Sequence, residues 1–485
     1  MALPVSRSLS RRTFLAASLT APVAARLARA DAPVQLDDAS HLNPTPVTRH
    51  VVMKTDAMSA TIERVRRELK EAATAGRPVA MGAARHSMGG QSLVRDGTAF
   101  TFETAGLDPD RQQGIYRVDA GARWYQVVAS LDPLGVSPAV TQANCDFGVA
   151  STFSVNAHGW PVPHGPFGST VRALRLMLAD GSVVTCSRQE NPELFRHAMG
   201  GYGLFGVILD LDVEMVPNLL MQPSLELVEG NDFAPKFLSV CHDPAVNMAY
   251  GRLDVSRERF LDQALIMSYR PLPPGSAPLP PAEGAGLMAR LTRGLYRAEV
   301  GSETAKHLRW FMEKSVAPHV GGHPVTRNTL LNDLVINLAN GDSARTDILH
   351  EYFVPPDRFP DFLTACRDVI LKSRQELLNV TLRFVEADED SVLRYAAVPR
   401  ICAVMSFSQL KTPEAEADMR RMTQALIERV LAIGGVYYLP YRLHAKRDQV
   451  ERAYPGLAGF IETKRRYDPG LLFRNALWDS WTRET

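Results

Sequence analysis

The run "VRALRLMLADGSVVTCSRQENPELFRHAMGGYGLFGVILDLDVEMVP", residues 171–217, constrains the fold more than any other stretch. Two apolar runs flank Asp180-Gly181, a pair that accepts the positive φ of a tight turn, so a β-hairpin is predicted. Asn191 follows as a helix cap, with Pro192 at the first helical position, where its missing N–H costs nothing. "GVILDLDVEMVP" alternates apolar and polar residues and predicts a half-exposed strand. Within this run "GYGLFG" matches GxGxxG, but a helix precedes it and a strand follows. A nicotinamide-type dinucleotide site needs the reverse order, so that a helix N-terminus faces the pyrophosphate. These glycines instead permit close backbone approach between helix, turn and strand.

The chain before this run also mixes helix and strand. "SATIERVRRELKEAATAG" has helical apolar spacing, with Ser59 a candidate N-cap and Gly76 the stop. "RPVAMG" and "GIYRVDAGA" predict strands, and "RWYQVVASLDPLG" a helix closed by Pro133 and Gly135. Beyond residue 218 comes a proline-rich loop, 269–286, and then a basic helical segment, "GLYRAEVGSETAKHLRWFMEKS". "RTDILHEYFVP", "LLNVTLRFVEADED" and "ICAVMSFSQL" predict strands, and "PDRFPDFLTACRDVILKSR" and "TPEAEADMRRMTQALIERVLAIGG" helices. Residues 218–430 thus predict one α+β unit on antiparallel strands, distinct from the first. No internal repeat is present.

Between two strand-like runs lies "GAARHSMGGQS", Gly82 to Ser92. A connection that only had to turn would need the glycines alone. Successive backbone N–H groups in such a loop make an anion-binding concavity, helped here by the hydroxyls of Ser87 and Ser92. Some sixty residues on, "NCDFGVASTFSVNAHG" supplies a second wall of small residues.

Composition narrows the class. With 485 residues, 45% hydrophobic and 22% charged, the chain has roughly two to four domain-sized units of ordinary globular composition. The formal net charge is +1, but residues 1–30 hold five arginines and no acid, so the remainder carries −4. A mildly acidic body gives no reason to expect nucleic acid as partner. Residues 1–30 have the three-part layout of an export signal, and Arg11-Arg12 followed by Thr13-Phe14-Leu15 predicts the twin-arginine route to the periplasm or exterior. The alternative is a short amphipathic helix. No segment is apolar for long enough to span a bilayer. Five widely spaced cysteines without a CxxC pair make neither a disulfide framework nor a zinc site, and the histidines show no metal-ligand spacing.

Taken together, "GAARHSMGGQS", "STFSVNAHG", the 171–208 run and the C-terminal "FIETKRRYDPGLLFRN" resemble flavoproteins of the vanillyl-alcohol oxidase type. Within that group the motifs are most similar to cytokinin dehydrogenases and aldonolactone or alditol oxidases. The resemblance implies an α+β fold: a discontinuous, two-lobed PCMH-type FAD-binding domain, residues 46–217 with a return at 431–485, and a substrate (cap) domain at 218–430 with an antiparallel sheet. It implies FAD contacts from Gly82, Ala83, Ala84, Arg85, His86, Ser87, Gln91 and Ser92, from Ser151, Thr152, Ser154, Asn156 and Gly159, and from Gly206, Val207 and Ile208. His86 occupies the place where many relatives bond a ring nitrogen to the flavin 8α-methyl; the alternative is a hydrogen bond without a tether. Cys145, 59 residues further on, lies one residue off the place of a second link in some relatives, and its neighbours do not match. It reads as a small buried thiol.

The same resemblance implies hydride transfer from a small-molecule substrate to flavin N5, with oxygen or another electron acceptor. The donor is a C–OH group of an alcohol, polyol or lactone-like compound; amine oxidation and flavin binding without turnover are the alternatives. "PYRLHAKRDQVERAYPGLAGF" looks like the segment carrying a paired histidine and lysine, here His444 and Lys446. A Glu-x-Arg pair of those relatives reads Thr381-Leu382-Arg383 here, so Arg383 keeps its place and the glutamate is missing. Asp146 falls within one residue of a base position and serves either as base or as a cap. Glu351 and Tyr352 are further pocket candidates.

Overall fold

The parallel sheet that carries the Gly82–Ser92 loop is small. In the computed structural model, strand β3 (Arg49–Met53) and β4 (Val79–Gly82) both pair in parallel with β5 (Thr98–Phe102). Helix α1 (Met58–Thr74) lays Val65, Leu69 and Ala72 on this sheet, against Val51, Phe100 and Phe473. Phe473 belongs to the C-terminal segment, which runs beside β4: Val79 N–H donates to Leu472 O at 2.6 Å and Arg474 N–H to Val79 O at 3.0 Å. Asp468, buried in an ion pair with Lys464, accepts the N–H groups of Leu472 and Phe473 at 2.9 and 2.8 Å and fixes that register. Truncating the fully buried Phe473 to alanine would cost about 3–5 kcal/mol.

A six-stranded antiparallel sheet lies next in the chain. Its order is β10 (Val183–Ser187), β9 (Val171–Met177), β11 (Val207–Pro217), β7 (Ile115–Asp119) and β6 (Leu107–Asp110), with β8 (Val136–Pro138) also on β11. The predicted hairpin forms around Gly181, at φ +82°. Helix α2 (Trp124–Leu131) and the short α3 (Val149–Ser154) pack on it. The largest sheet has eight strands in the order β15 (Val325–Thr326), β12 (Leu220–Glu229), β14 (Gln263–Pro271), β13 (Met248–Leu253), β17 (Glu376–Val385), β18 (Arg400–Leu410), β16 (Arg345–Val354) and β19 (Val436–Tyr437). All its pairings are antiparallel. Helices Phe359–Ile370 and Pro413–Ala432 bury Phe362, Leu363, Met419 and Leu426 in the shared core. The fold is α+β, with antiparallel sheets dominant.

Three local expectations are corrected. The helix begins at Met58, so Ser59 lies inside it and Ala57 holds the cap position. Strand β11 is buried through its first half rather than half-exposed, because its polar residues are matched by arginines on neighbouring strands: Asp210 pairs with Arg175 and Asp212 with Arg117. The segment read as a proline-rich loop from 269 still belongs to β14 through Pro271.

The structure describes residues 34–482 apart from 55–56, 274, 276, 285–293, 317–321 and 333–341. All of them belong to one compact unit that begins at Pro33. The export-signal expectation for residues 1–30 lies outside the described residues. Among the described residues no helix is long and apolar enough to cross a membrane.

Candidate functional site

The Gly82–Ser92 loop leaves β4 and is fastened to a distant part of the chain. Met88 N–H donates to Pro440 O at 2.8 Å, and the Gln91 amide donates to Leu439 O at 2.8 Å and Tyr441 O at 2.9 Å. The contact is so close that a Cβ on Gly89 would stand 2.4 Å from Tyr441 O. Gly90 N–H donates to Asp38, which ties the loop to the N-terminal segment as well. The second wall, Gly148 and α3, meets the first at Ala83, whose Cβ lies 2.9 Å from where a Cβ on Gly148 would be. The start of β11 and Tyr202 complete the enclosure.

The resulting cleft holds about 1040 Å³ of non-atom space, part of it open to solvent. Gly82, Ala83, Ala84, Arg85, His86, Ser87, Gln91, Ser92, Ser151, Ser154, Gly206, Val207 and Ile208 line it, together with Phe147, Leu349, Tyr438, Pro440 and Tyr441. Three expected contacts stand behind the wall instead. The Thr152 hydroxyl accepts from Trp124 Nε1 at 2.9 Å, Asn156 is spent on Asp388 and Gly168, and Gly159 packs on Thr141 O. Their roles are to hold the wall in place.

Two buried polar atoms in this lining, Arg85 Nε and Ser92 Oγ, have no hydrogen-bond partner among the described residues. Burial, aided by the charge of nearby Arg123, pushes the Arg85 pKa down. Arg85 Nη2 donates to Thr101 Oγ1 and Arg123 Nη1 to Asp146 O, which leaves the buried Arg85 Nε as a guanidinium donor in the lining without a partner among the described residues, suited to a bound anion. Walls of small residues for a flat ring and unspent donors for a diphosphate fit FAD. His86 sits in this lining with Nε2 3.1 Å from Asp146 Oδ2 and its ring centroid 4.4 Å from that of Phe147.

Behind Tyr441 lies a buried polar cluster. The Tyr441 phenol donates to Glu351 Oε1, and His158 Nε2 meets Glu351 Oε2 at 2.9 Å. Burial raises the Glu351 pKa, but His158, Arg383 and Tyr441 outweigh it and keep the carboxyl below its ordinary range. Burial also wins at His158, whose pKa is lowered, so a neutral imidazole donates from Nε2 and leaves Nδ1 as an acceptor with no partner among the described residues. Arg383 is 7% exposed, and its Nε is buried without a partner among the described residues. Cys402 completes the group, its Sγ 3.5 Å from His158 Nε2.

His444 and Lys446 are not brought to the cleft. His444 is buried between Glu416, at 2.7 Å from Nε2, and Thr423, at 3.2 Å from Nδ1, beside a separate pocket lined by Arg420 and Arg442. Lys446 is exposed at the start of the helix Arg447–Ala453. Cys145 is fully buried in the core and does not line the cleft. Sequence reasoning passed over Tyr441, Tyr438, His158 and Cys402. The cluster of three tyrosines in "YYLPY", 437–441, was the available signal.

Residues 57–187 match the family model described as FAD binding domain. Among curated proteins, the chain is 36% identical over 146 residues to cytokinin dehydrogenase 8 of Oryza sativa subsp. indica, covering 27% of each chain. It is 30% identical over 168 residues to D-arabinono-1,4-lactone oxidase of Yarrowia lipolytica, covering 33% of this chain and 31% of that one. Cytokinin dehydrogenase 1 of Arabidopsis thaliana matches at 30% over 138 residues, 27% of this chain and 24% of that one. The chain thus spans less than a third of the length of each of these relatives. Residues 57–187 thus match an FAD-binding domain, and over that part of its length the chain is similar to cytokinin dehydrogenases and D-arabinono-1,4-lactone oxidases.

Proposed function

We propose that the protein is an FAD-dependent oxidoreductase that oxidises a C–OH group of a small molecule, with the flavin tethered through His86. The observation that carries this reading is the cleft itself. It joins the His86 loop to Tyr441, behind which stand an ionised Glu351 and an Arg383 with no ion-pair partner among the described residues. When bound, FAD supplies the acceptor for a hydride from the donor carbon. Arg383 is suited to hold the donor oxygen or a neighbouring anionic group, because a buried guanidinium without a partner gains most from one. Tyr441 and Glu351 are suited to take the hydroxyl proton, since the carboxylate is ionised and already accepts the phenolic hydrogen. Leu349, Tyr438 and Phe147 exclude water from the reacting groups.

The domain limits 46–217 with 431–485, and 218–430, belong to this proposal, as does export of the folded protein directed by residues 1–30. Oxygen or a dye-like or protein acceptor reoxidises the flavin. The cytokinin dehydrogenase matches support a second reading, oxidation of an amine. Thr381 in the place of a glutamate argues against a sugar alcohol. An anaerobic screen of alcohols, lactones, polyols and amines, following the flavin absorption band, separates the readings. Bleaching by alcohols or lactones is expected. Bleaching by amines alone supports the second reading, and no bleaching by any donor contradicts both.

A further inference from the structure

Asp146 sits beside the proposed tether, and its position carries a consequence for how a tether forms. Its Oδ2 lies 3.1 Å from His86 Nε2, and no other hydrogen bond or ion pair of the His86 ring is present among the described residues. A neutral imidazole beside a carboxylate donates from the nitrogen facing it, which leaves the lone pair on the other nitrogen. The nucleophilic atom of His86 is then Nδ1. Neighbouring groups hold the pair still. Phe147 packs on the imidazole, and Arg123 Nη1 donates to the Asp146 carbonyl at 3.0 Å.

From this geometry we infer that Asp146 makes His86 reactive toward the flavin: it holds the tautomer with Nδ1 free and accepts the Nε2 proton as the bond forms. The inference rests on the covalent reading proposed above. In the step, a bond forms between Nδ1 and the flavin 8α carbon, and one C–H bond of the methyl group breaks, its proton passing to solvent. The Nε2–H proton passes to Asp146. The two electrons remain on the flavin ring, which is reduced, and molecular oxygen takes them as hydrogen peroxide. Asp146 is thus a proton acceptor for cofactor attachment.

The test uses the full chain prepared from riboflavin-starved cells, incubated with FAD in air. Covalent flavin is followed by in-gel fluorescence and intact mass after acid denaturation, beside His86→Ala. In the wild type, attachment at Nδ1 is expected, identified by NMR of the isolated flavin peptide. Asp146→Asn is expected to bind FAD, as read from the visible spectrum of the folded protein, yet to attach it at least about ten-fold more slowly. Asp146→Glu is expected to recover part of the rate. Attachment at Nε2 in the wild type overturns the inference without any variant having to fold, and so does an Asp146→Asn rate equal to the wild type. Both leave the tether standing. Wild-type protein that releases all its flavin in acid overturns the tether and this inference together.

Discussion

Glu351 and Arg383 share one face of the eight-stranded sheet, on strands that flank β18 from opposite sides. Glu351 pairs with Val404 of β18, and Thr381 pairs with the same Val404 from the other side. Arg383 is two residues along from Thr381, opposite Cys402. Side chains two residues apart point to the same face, and neighbouring strands lie about 4.8 Å apart. A carboxylate absent at position 381 is thus present on the same face, roughly 10 Å across the sheet. The Glu351→Gln protein should fold and bind FAD, but its flavin should be reduced by the donor found in the screen ~10²-fold or more slowly, as for loss of a general base. Anaerobic stopped-flow absorbance checks this, and an unchanged reduction rate removes Glu351 from the chemistry.

Arg383 should show opposite effects on stability and turnover. A buried guanidinium without an ion pair is costly, whereas a methionine of similar length packs without that cost. The Arg383→Met protein should melt at the same temperature as the wild type or higher, while losing donor-dependent flavin reduction. Thermal melts and donor titrations on the same preparation measure both. A large fall in melting temperature would mean that the charge is structural.

Gly89 tests the fastening of the Gly82–Ser92 loop. An alanine Cβ there would meet Tyr441 O at 2.4 Å and Gln91 Nε2 at 2.7 Å, so the loop must move away from residues 439–441. Gly89→Ala should cost about 1–3 kcal/mol by denaturant titration and weaken FAD binding. An unchanged midpoint and affinity would show that this contact yields easily.

Stability should fall on mild acidification. Burial drives the pKa of His350 down to about 3 and that of His164 to about 4, and it also lowers His158 and His444. Below the ordinary histidine pKa near 6.5 the unfolded chain takes up protons that the folded one refuses. Their stabilising contribution is therefore complete above pH 6.5 and is lost as pH falls toward 3–4. At pH 5, His350 alone accounts for about 2 kcal/mol. Urea midpoints of wild type and His350→Gln between pH 7 and pH 5 measure it, the variant having the shallower slope.

Legibility in the sequence followed locality. The Gly82–Ser92 loop was readable because its glycines, hydroxyls, arginine and histidine are contiguous, and thirteen of the sixteen expected contacts line the cleft. The hairpin at Asp180-Gly181 was readable for the same reason. The Glu351 cluster was not, because His158 is 193 residues from Glu351 and Tyr441 is 90 residues from it. Only the return of the chain after β19 brings Tyr441 to the loop. His444 and Lys446 looked like site residues by analogy of segment, yet Glu416 and Thr423 absorb the histidine into the core. Alternation in β11 predicts exposure from the sequence alone, because the arginines that pair with Asp210 and Asp212 lie on other strands.

The central claim is that the cleft between the Gly82 loop, the Gly148 wall and Tyr441 holds FAD, with His86 at its edge. Titration of FAD into flavin-depleted full-length protein, read by flavin absorbance and by the colour of the acid-precipitated pellet, tests it most directly. Saturation at one FAD per chain is predicted, with a yellow pellet from the wild type and a white one from His86→Ala. A folded protein that stays colourless and takes up no added FAD would contradict the account.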